Sequence, residues 1–236
     1  MKVEIWSDVM CPFCYIGKRR FENALQQFSN KSEVEIVWKS FQLNPAMKTD
    51  PGKNINEYLA ETKGWTLSYA RQMNDYVTNM AKEVGLQYDF DKAIVANSFD
   101  AHRLIQFAKE NGKGDEIEER LFRAYFTEGK NTADHTTLIQ LGTEIGLDAD
   151  AIKKILDSNQ YADKVEHDIY EAMQIGVRGV PYFVLNDRYA VSGAQASETF
   201  LGALNKAWDE YEKEKPALKN IAGDTASVCK PDGECN

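Results

Sequence analysis

Cysteine and histidine are scarce in this chain of 236 residues, with four of the first and three of the second. Four cysteines are too few for the disulfide framework that staples small secreted domains, and a chain this long buries a sizeable core without one. The three histidines, His102, His135 and His167, stand alone in helical segments and make no ligand set, so no metal is expected. Positive charge is also short: 28 Lys and Arg against 37 Asp and Glu leave a net charge of −9. That balance argues against nucleic-acid or anionic-membrane partners, which require basic surface. Nowhere does an apolar run reach the roughly 20 residues of a membrane helix. There is no internal repeat, and no basic-then-apolar leader precedes Val3-Glu4-Ile5-Trp6, so a cytoplasmic location is expected.

What is present is an ordered alternation of periods. Residues 2–7 read as a strand. Pro12 is suited to the first turn of a helix, where its missing N–H costs nothing, and Phe21, Leu25 and Phe28 carry one face of that helix to about residue 28. Val34-Glu35-Ile36-Val37-Trp38 is a second strand, followed by the breakers Asn44-Pro45 and Asp50-Pro51-Gly52. From about Asn54 to Ile175 nearly everything reads as helix, punctuated by Gly85, Gly112, Gly129 and Gly146. Two strands, 181–185 and 189–191, follow around an Asn186-Asp187 turn. A last helix is expected from Ser197 as N-cap to just before Pro216. Without the helical block the order is β-α-β-β-β-α, a small sheet covered by helices; the class is α/β with a large all-helical insertion.

Two cysteines fall at the first strand-to-helix junction, in Cys11-Pro-Phe-Cys14. Disulfide exchange needs an activated thiol and a second thiol within reach. Residues three apart on a helix share a face, with Cβ atoms roughly 5–6 Å apart, close enough for a disulfide after small adjustment. Free N–H groups and the helix dipole favour a thiolate at the first position, which makes Cys11 the nucleophile and Cys14 the resolving thiol. Phe13 brings no charge to the motif, so the couple is expected to be less oxidising than a histidine-containing one. The competing reading, half a zinc site, lacks a second pair at ligand spacing, since Cys229 and Cys235 are separated by five residues. Val180-Pro181 opens the strand after the insertion, a position where proline is tolerated.

These residues together resemble a known family. Ser7-Asp-Val-Met-Cys-Pro-Phe-Cys-Tyr-Ile-Gly17, Ala101-His-Arg-Leu104, Ala124-Tyr-Phe126, Gly176-Val-Arg-Gly-Val-Pro181 and Ser192-Gly-Ala-Gln195 are similar to DsbA-like thioredoxin proteins of the FrnE type, over about residues 2–210. The resemblance implies a discontinuous thioredoxin-like domain of residues 1–53 and 176–215. Residues 54–175 would then be the insertion capping the active site, and 216–236 a tail. It also implies a cis peptide before Pro181, with Val180 and Pro181 pairing an extended substrate against the disulfide. Glu4 is implied beneath the disulfide as an aid to proton transfer, the alternative being a partly exposed strand residue. The expected activity is thiol–disulfide exchange on protein or small-molecule thiol and disulfide partners, with no resident cofactor.

Relatives of similar outline bind glutathione as a cosubstrate, namely kappa-class glutathione transferases and 2-hydroxychromene-2-carboxylate isomerases. They use serine where this chain has Cys11, which places a glutathione-dependent isomerase or transferase second. A chaperone-like peptide binder is a third reading. The tail pair, Cys229 and Cys235, departs from the family pattern. It reads as an accessory redox pair, a local clip around the Pro231-Asp-Gly233 turn, or two idle thiols.

Overall fold

The computed structural model describes residues 1–214. Strand β1 (Lys2–Ser7) leads into helix α1 (Pro12–Gln27), and β2 (Glu35–Ser40) returns beside β1 in parallel, with Val3 opposite Ile36 and Ile5 opposite Trp38. After the insertion, β5 (Tyr182–Leu185) and β6 (Tyr189–Ser192) complete a four-stranded sheet in the order β2-β1-β5-β6. Both β1–β5 and β5–β6 are antiparallel. The hairpin between β5 and β6 turns where the sequence places Asn186-Asp187. Both residues adopt left-handed backbone, with φ of 51° and 54°, and the Arg188 N–H closes the turn on the Leu185 carbonyl. That is the conformation a tight hairpin demands, and Asn and Asp tolerate it.

Alternation along the strands decides what each face of the sheet meets. Val3 and Ile5 of β1, with Phe183 and Leu185 of β5, point to the side covered by α1 and α9 (Ser197–Glu214). There the rings of Phe21, Phe183 and Phe200 pack with centroids 4.5–5.7 Å apart. Trp6 points the other way, onto Ala172 and Val177. The last helix begins one residue earlier than a Ser197 cap would place it: the Ala196 carbonyl accepts the first helical N–H bonds and Ser197 is already in the helix.

The block between β2 and β5 holds α2 (Ile55–Lys63), α3 (Leu67–Glu83), α4 (Phe99–Glu110), α5 (Gly114–Phe126), α6 (His135–Glu144), α7 (Ala149–Leu156) and α8 (Ala162–Gln174). It is not purely helical. β3 (Asp50–Asn54) pairs with a two-residue strand β4 (Ile94–Val95) across an irregular register. The apolar core runs through both parts of the chain: Val3, Ile5 and Phe21 belong to the same buried cluster as Leu104, Ile117, Leu121 and Leu141. Charge joins them as well. Lys18 of α1, only 2% exposed, lies 3.2 Å from Asp115 and 3.3 Å from Glu119 of α5, and Arg19 also pairs with Glu119.

Candidate active site

Cys11 is the N-cap of α1, in extended backbone with φ −88° and ψ 111°, and Pro12 takes the first helical position. The Cys11 N–H is bonded to the Asp8 carbonyl at 2.9 Å, and the Cys14 N–H to the Cys11 carbonyl at 3.0 Å. These two bonds fold the motif into one tight turn with both thiols at the helix entrance. Both side chains are buried and unpaired, 3% and 1% exposed, whereas Phe13 between them is 37% exposed. Burial pushes the Cys14 thiol well up from its ordinary range. The neighbouring Cys11 adds to that, while hydrogen bonding from the Asp8 backbone and Ser7 pulls in the opposite direction.

The loop before β5 comes to the thiols from the other side. The Val180–Pro181 peptide is cis, and Cys11 Sγ lies 3.4 Å from the Val180 carbonyl, which accepts its S–H. The loop is held from behind: the Gly193 N–H donates to the Pro181 carbonyl at 2.8 Å, and Arg20 of α1 donates to the Ala194 carbonyl at 2.7 Å. Gly17 makes this approach possible. A Cβ at that position would stand 2.9 Å from Pro181 Cγ and 3.5 Å from Ala194 Cβ, and a proline ring cannot swing aside. In Gly17→Ala the loop must therefore move off α1. The better helix propensity of alanine, about 1 kcal/mol, offsets part of the overpacking cost of about 1–3 kcal/mol, leaving a net loss of about 0–2 kcal/mol. Displacing a reacting geometry by about 1 Å can cost 100-fold, and we expect exchange to slow roughly 10- to 100-fold. Steady-state turnover beside a thermal melt checks this; wild-type turnover in a folded variant would sink it.

Aromatic side chains of the insertion wall the thiols in. Tyr88 donates its hydroxyl to the Pro12 carbonyl at 2.7 Å, and its ring stacks on Phe126 at 4.7 Å. Tyr15, one residue beyond Cys14, stacks on Phe122 at 4.9 Å. Beneath Cys14 the lining turns polar. Ser7 donates to Glu118 Oε1 at 2.7 Å, with both residues 1% exposed. Asp8 accepts the Leu43 N–H at 2.8 Å and faces the buried His102, 3.4 Å away. Burial raises the Glu118 carboxyl to about 7, against the lowering influence of Ser7, His102 and Lys18.

Ser7, Glu118, Tyr88 and the Asp8–His102 pair are site residues that the motif reading did not single out. The Glu4 carboxylate is 3.2 Å from Lys2 and 3.5 Å from Lys39. His135 and His167 pair with Asp100 and Glu171 at the surface. Among the described residues no group of three His, Cys, Asp or Glu side chains converges as a metal set, and no helix is long and apolar enough to cross a membrane. Cys229 and Cys235 lie outside the described residues.

Residues 2–205 match the family model of the DSBA-like thioredoxin domain. A crystal structure of a probable DsbA oxidoreductase from Streptomyces coelicolor superposes with a TM-score of 0.84 at 37% identity, covering 100% of this chain and 98% of that one. An uncharacterized protein of Bacillus subtilis, YwbO, is 29% identical over 219 residues, 89% of this chain and 98% of its own. The structure of a 2-hydroxychromene-2-carboxylate isomerase shares the fold at 15% identity, with a TM-score of 0.66 over 92% of this chain and 100% of that one.

Proposed function

Since the chain belongs to the DSBA-like thioredoxin domain family, we propose that it catalyses thiol–disulfide exchange through Cys11 and Cys14 on extended protein segments. The observation that carries this reading is the contact of Cys11 Sγ with the Val180 carbonyl, 3.4 Å away. It places the helix-capping thiol against a loop whose backbone lies beside it. Cys11 attacks a substrate disulfide and holds one half as a mixed disulfide; Cys14, one turn in, then displaces that half and closes the internal disulfide. Run backwards, the same steps oxidise a substrate dithiol. Val180 and Pro181 supply the strip along which the substrate backbone lies, and the exposed side chains of Phe13 and Leu43 give it an apolar rim suited to an unfolded chain.

The FrnE type is supported by the separated motifs at Ala101–Leu104 and Ser192–Gln195. A cytoplasmic location fits the economy of cysteine, and glutathione fits as a reductant in place of a resident cofactor. Insulin reduction tests the function. The protein should accelerate precipitation of insulin chains by dithiothreitol, and Cys11→Ser should fall to the uncatalysed rate. Failure of the wild-type protein here, with glutathione-dependent turnover of a small aromatic substrate, would move the assignment to the isomerase.

A further inference from the structure

Asp8 carries a buried carboxylate that the exchange steps do not use. It stands three residues before Cys11, and its main chain and side chain are tied to different segments. The main-chain carbonyl accepts the Cys11 N–H at 2.9 Å, inside the active-site turn. One side-chain oxygen, Oδ2, accepts the Leu43 N–H at 2.8 Å, and the other accepts the Met10 N–H at 3.4 Å. His102 Nε2 also comes within 3.4 Å of Oδ1 but makes no hydrogen bond, so backbone N–H groups hold the carboxylate. Such charge-assisted bonds are strong, and their effect here is to place chain.

The segment that Asp8 places lies beyond β2. The Phe41 N–H still reaches the Ser7 carbonyl, at 3.0 Å, as the strand ends. Further on, Asn97 donates to the Met47 carbonyl at 2.8 Å and the Asn44 amide to the Tyr58 hydroxyl at 2.8 Å, both partners coming from the insertion. Between these anchors the Asp8 carboxylate fastens the Leu43 backbone to the active-site turn. The Leu43 side chain is nevertheless 52% exposed, an aliphatic group whose backbone is held while its surface stays open to solvent. We propose that Asp8 is a positioning residue for substrate choice: by fixing Leu43 beside the Cys11 turn, it sets an apolar contact for the chain that flanks a protein disulfide, and so favours that substrate over small disulfides.

This rests on the thiol–disulfide reading above and concerns which disulfide reaches Cys11. A small disulfide has no chain to lay on Leu43 and gains nothing from it. An extended segment with a leucine near its cystine covers the Leu43 side chain, and such burial favours association by about a factor of ten. Holding the loop beforehand spares the ordering that a free loop would undergo on binding. The contact is the same in the bound complex and in the transition state, so it lowers KM and leaves kcat where it is.

Two cystine peptides that differ in one residue beside the disulfide, leucine in one and serine in the other, are compared with dithiobis(nitrobenzoate). The wild-type protein should show a KM about 10-fold lower for the leucine peptide, at similar kcat. Asp8→Ala removes the carboxylate and keeps the backbone bond to Cys11, whereas Leu43→Ala trims only the exposed side chain. Each should abolish the leucine preference, and the double variant should do no more than either. Asp8→Asn keeps an oxygen for Leu43 and can turn its amide toward His102 Nε2, so it should restore the preference. In the wild type the Leu43 amide should exchange its hydrogen slowly for so exposed a residue, and Asp8→Ala should release it. A leucine preference absent from the wild type, or undiminished in either alanine variant, overturns the proposal. So does a wild-type Leu43 amide that exchanges as fast as a free loop amide. A fall with dithiobis(nitrobenzoate) as large as that with the leucine peptide also overturns it, because Asp8 would then act on Cys11 itself. If Asp8→Ala does not fold, the Leu43→Ala preference and the wild-type exchange rate decide. Absence of any Cys11-dependent reaction with all three disulfides overturns the dithiol reading instead.

Discussion

A Cys14→Ala variant should accumulate substrate on Cys11 as a mixed disulfide, nearly one equivalent per chain, while turnover disappears. The reason is positional. Cys11 caps α1 and touches the Val180 carbonyl, so the attack geometry survives the loss of Cys14, whereas no other thiol stands among the described residues to displace the substrate. Cys11→Ala should trap nothing, because Cys14 is more deeply buried and burial keeps it a thiol. Mass spectrometry of the trapped adduct under non-reducing conditions decides between the two thiols. Trapping on Cys14 with Cys11 absent would reverse the assigned roles.

The second large effect lies one layer away. Asp168 of α8 is buried, and its carboxylate accepts the Ser40 N–H at 2.9 Å and the Gln106 amide at 2.6 Å, while Lys39 stands 3.2 Å off. Its own carbonyl accepts the Trp6 indole N–H at 2.9 Å. Three elements, β2, α4 and α8, therefore meet on one carboxylate. Asp168→Ala leaves a backbone donor, an amide and an ammonium facing an empty buried space. Breaking a buried charged partner in this way costs about 3–5 kcal/mol, roughly 6–20 °C in Tm for a chain of this size. Exchange should fall as well, since α8 runs directly into the loop that carries Val180 and Pro181. Urea and thermal unfolding measure the first effect; a loss below about 1 kcal/mol would mean that water or a rearranged lysine fills the gap.

The sheet, its covering helices and the thiol pair are legible in the chain because each has a local signature. β1 alternates, Pro12 can only open a helix, and Asn186-Asp187 tolerates the left-handed turn. The β3–β4 ribbon has no such signature. Pro51 and Gly52 are poor strand formers, and the two residues of β4 take their conformation from what they lie against. Glu118 hides in the acidic run Asp115-Glu-Ile-Glu-Glu119, which reads as a solvated face. Its spacing does carry a signal: positions 118, 121, 122 and 125 form one helical stripe, and the other three, Leu121, Phe122 and Tyr125, are fully buried core. An acid on the apolar stripe of a helix is the pattern that marks it. Ser7 opens the motif Ser7–Gly17 with no sign of its partner, since its bond to Glu118 exists only once α5 is folded beside β1. Glu4 shows the reverse, a carboxylate in a suggestive place whose side chain is taken up by lysines.

The antiparallel pairing of β1 with β5 brings Val3 against Leu185, so the centre of the sheet joins residues about 180 positions apart. During synthesis at roughly 5–20 residues per second, Cys11 and Cys14 leave the ribosome about 8–35 s before the strand and loop that complete their site. Throughout that interval Cys11 has no Val180 carbonyl beside it. The nascent chain therefore carries a pair of bare thiols among whatever oxidants and partners surround it, and enzymatic competence arrives in one late step. So distant a pairing also makes the loop-closure entropy of the sheet large, and refolding from denaturant should be slow, with thiol reactivity lost on the timescale of β5 docking rather than of helix formation.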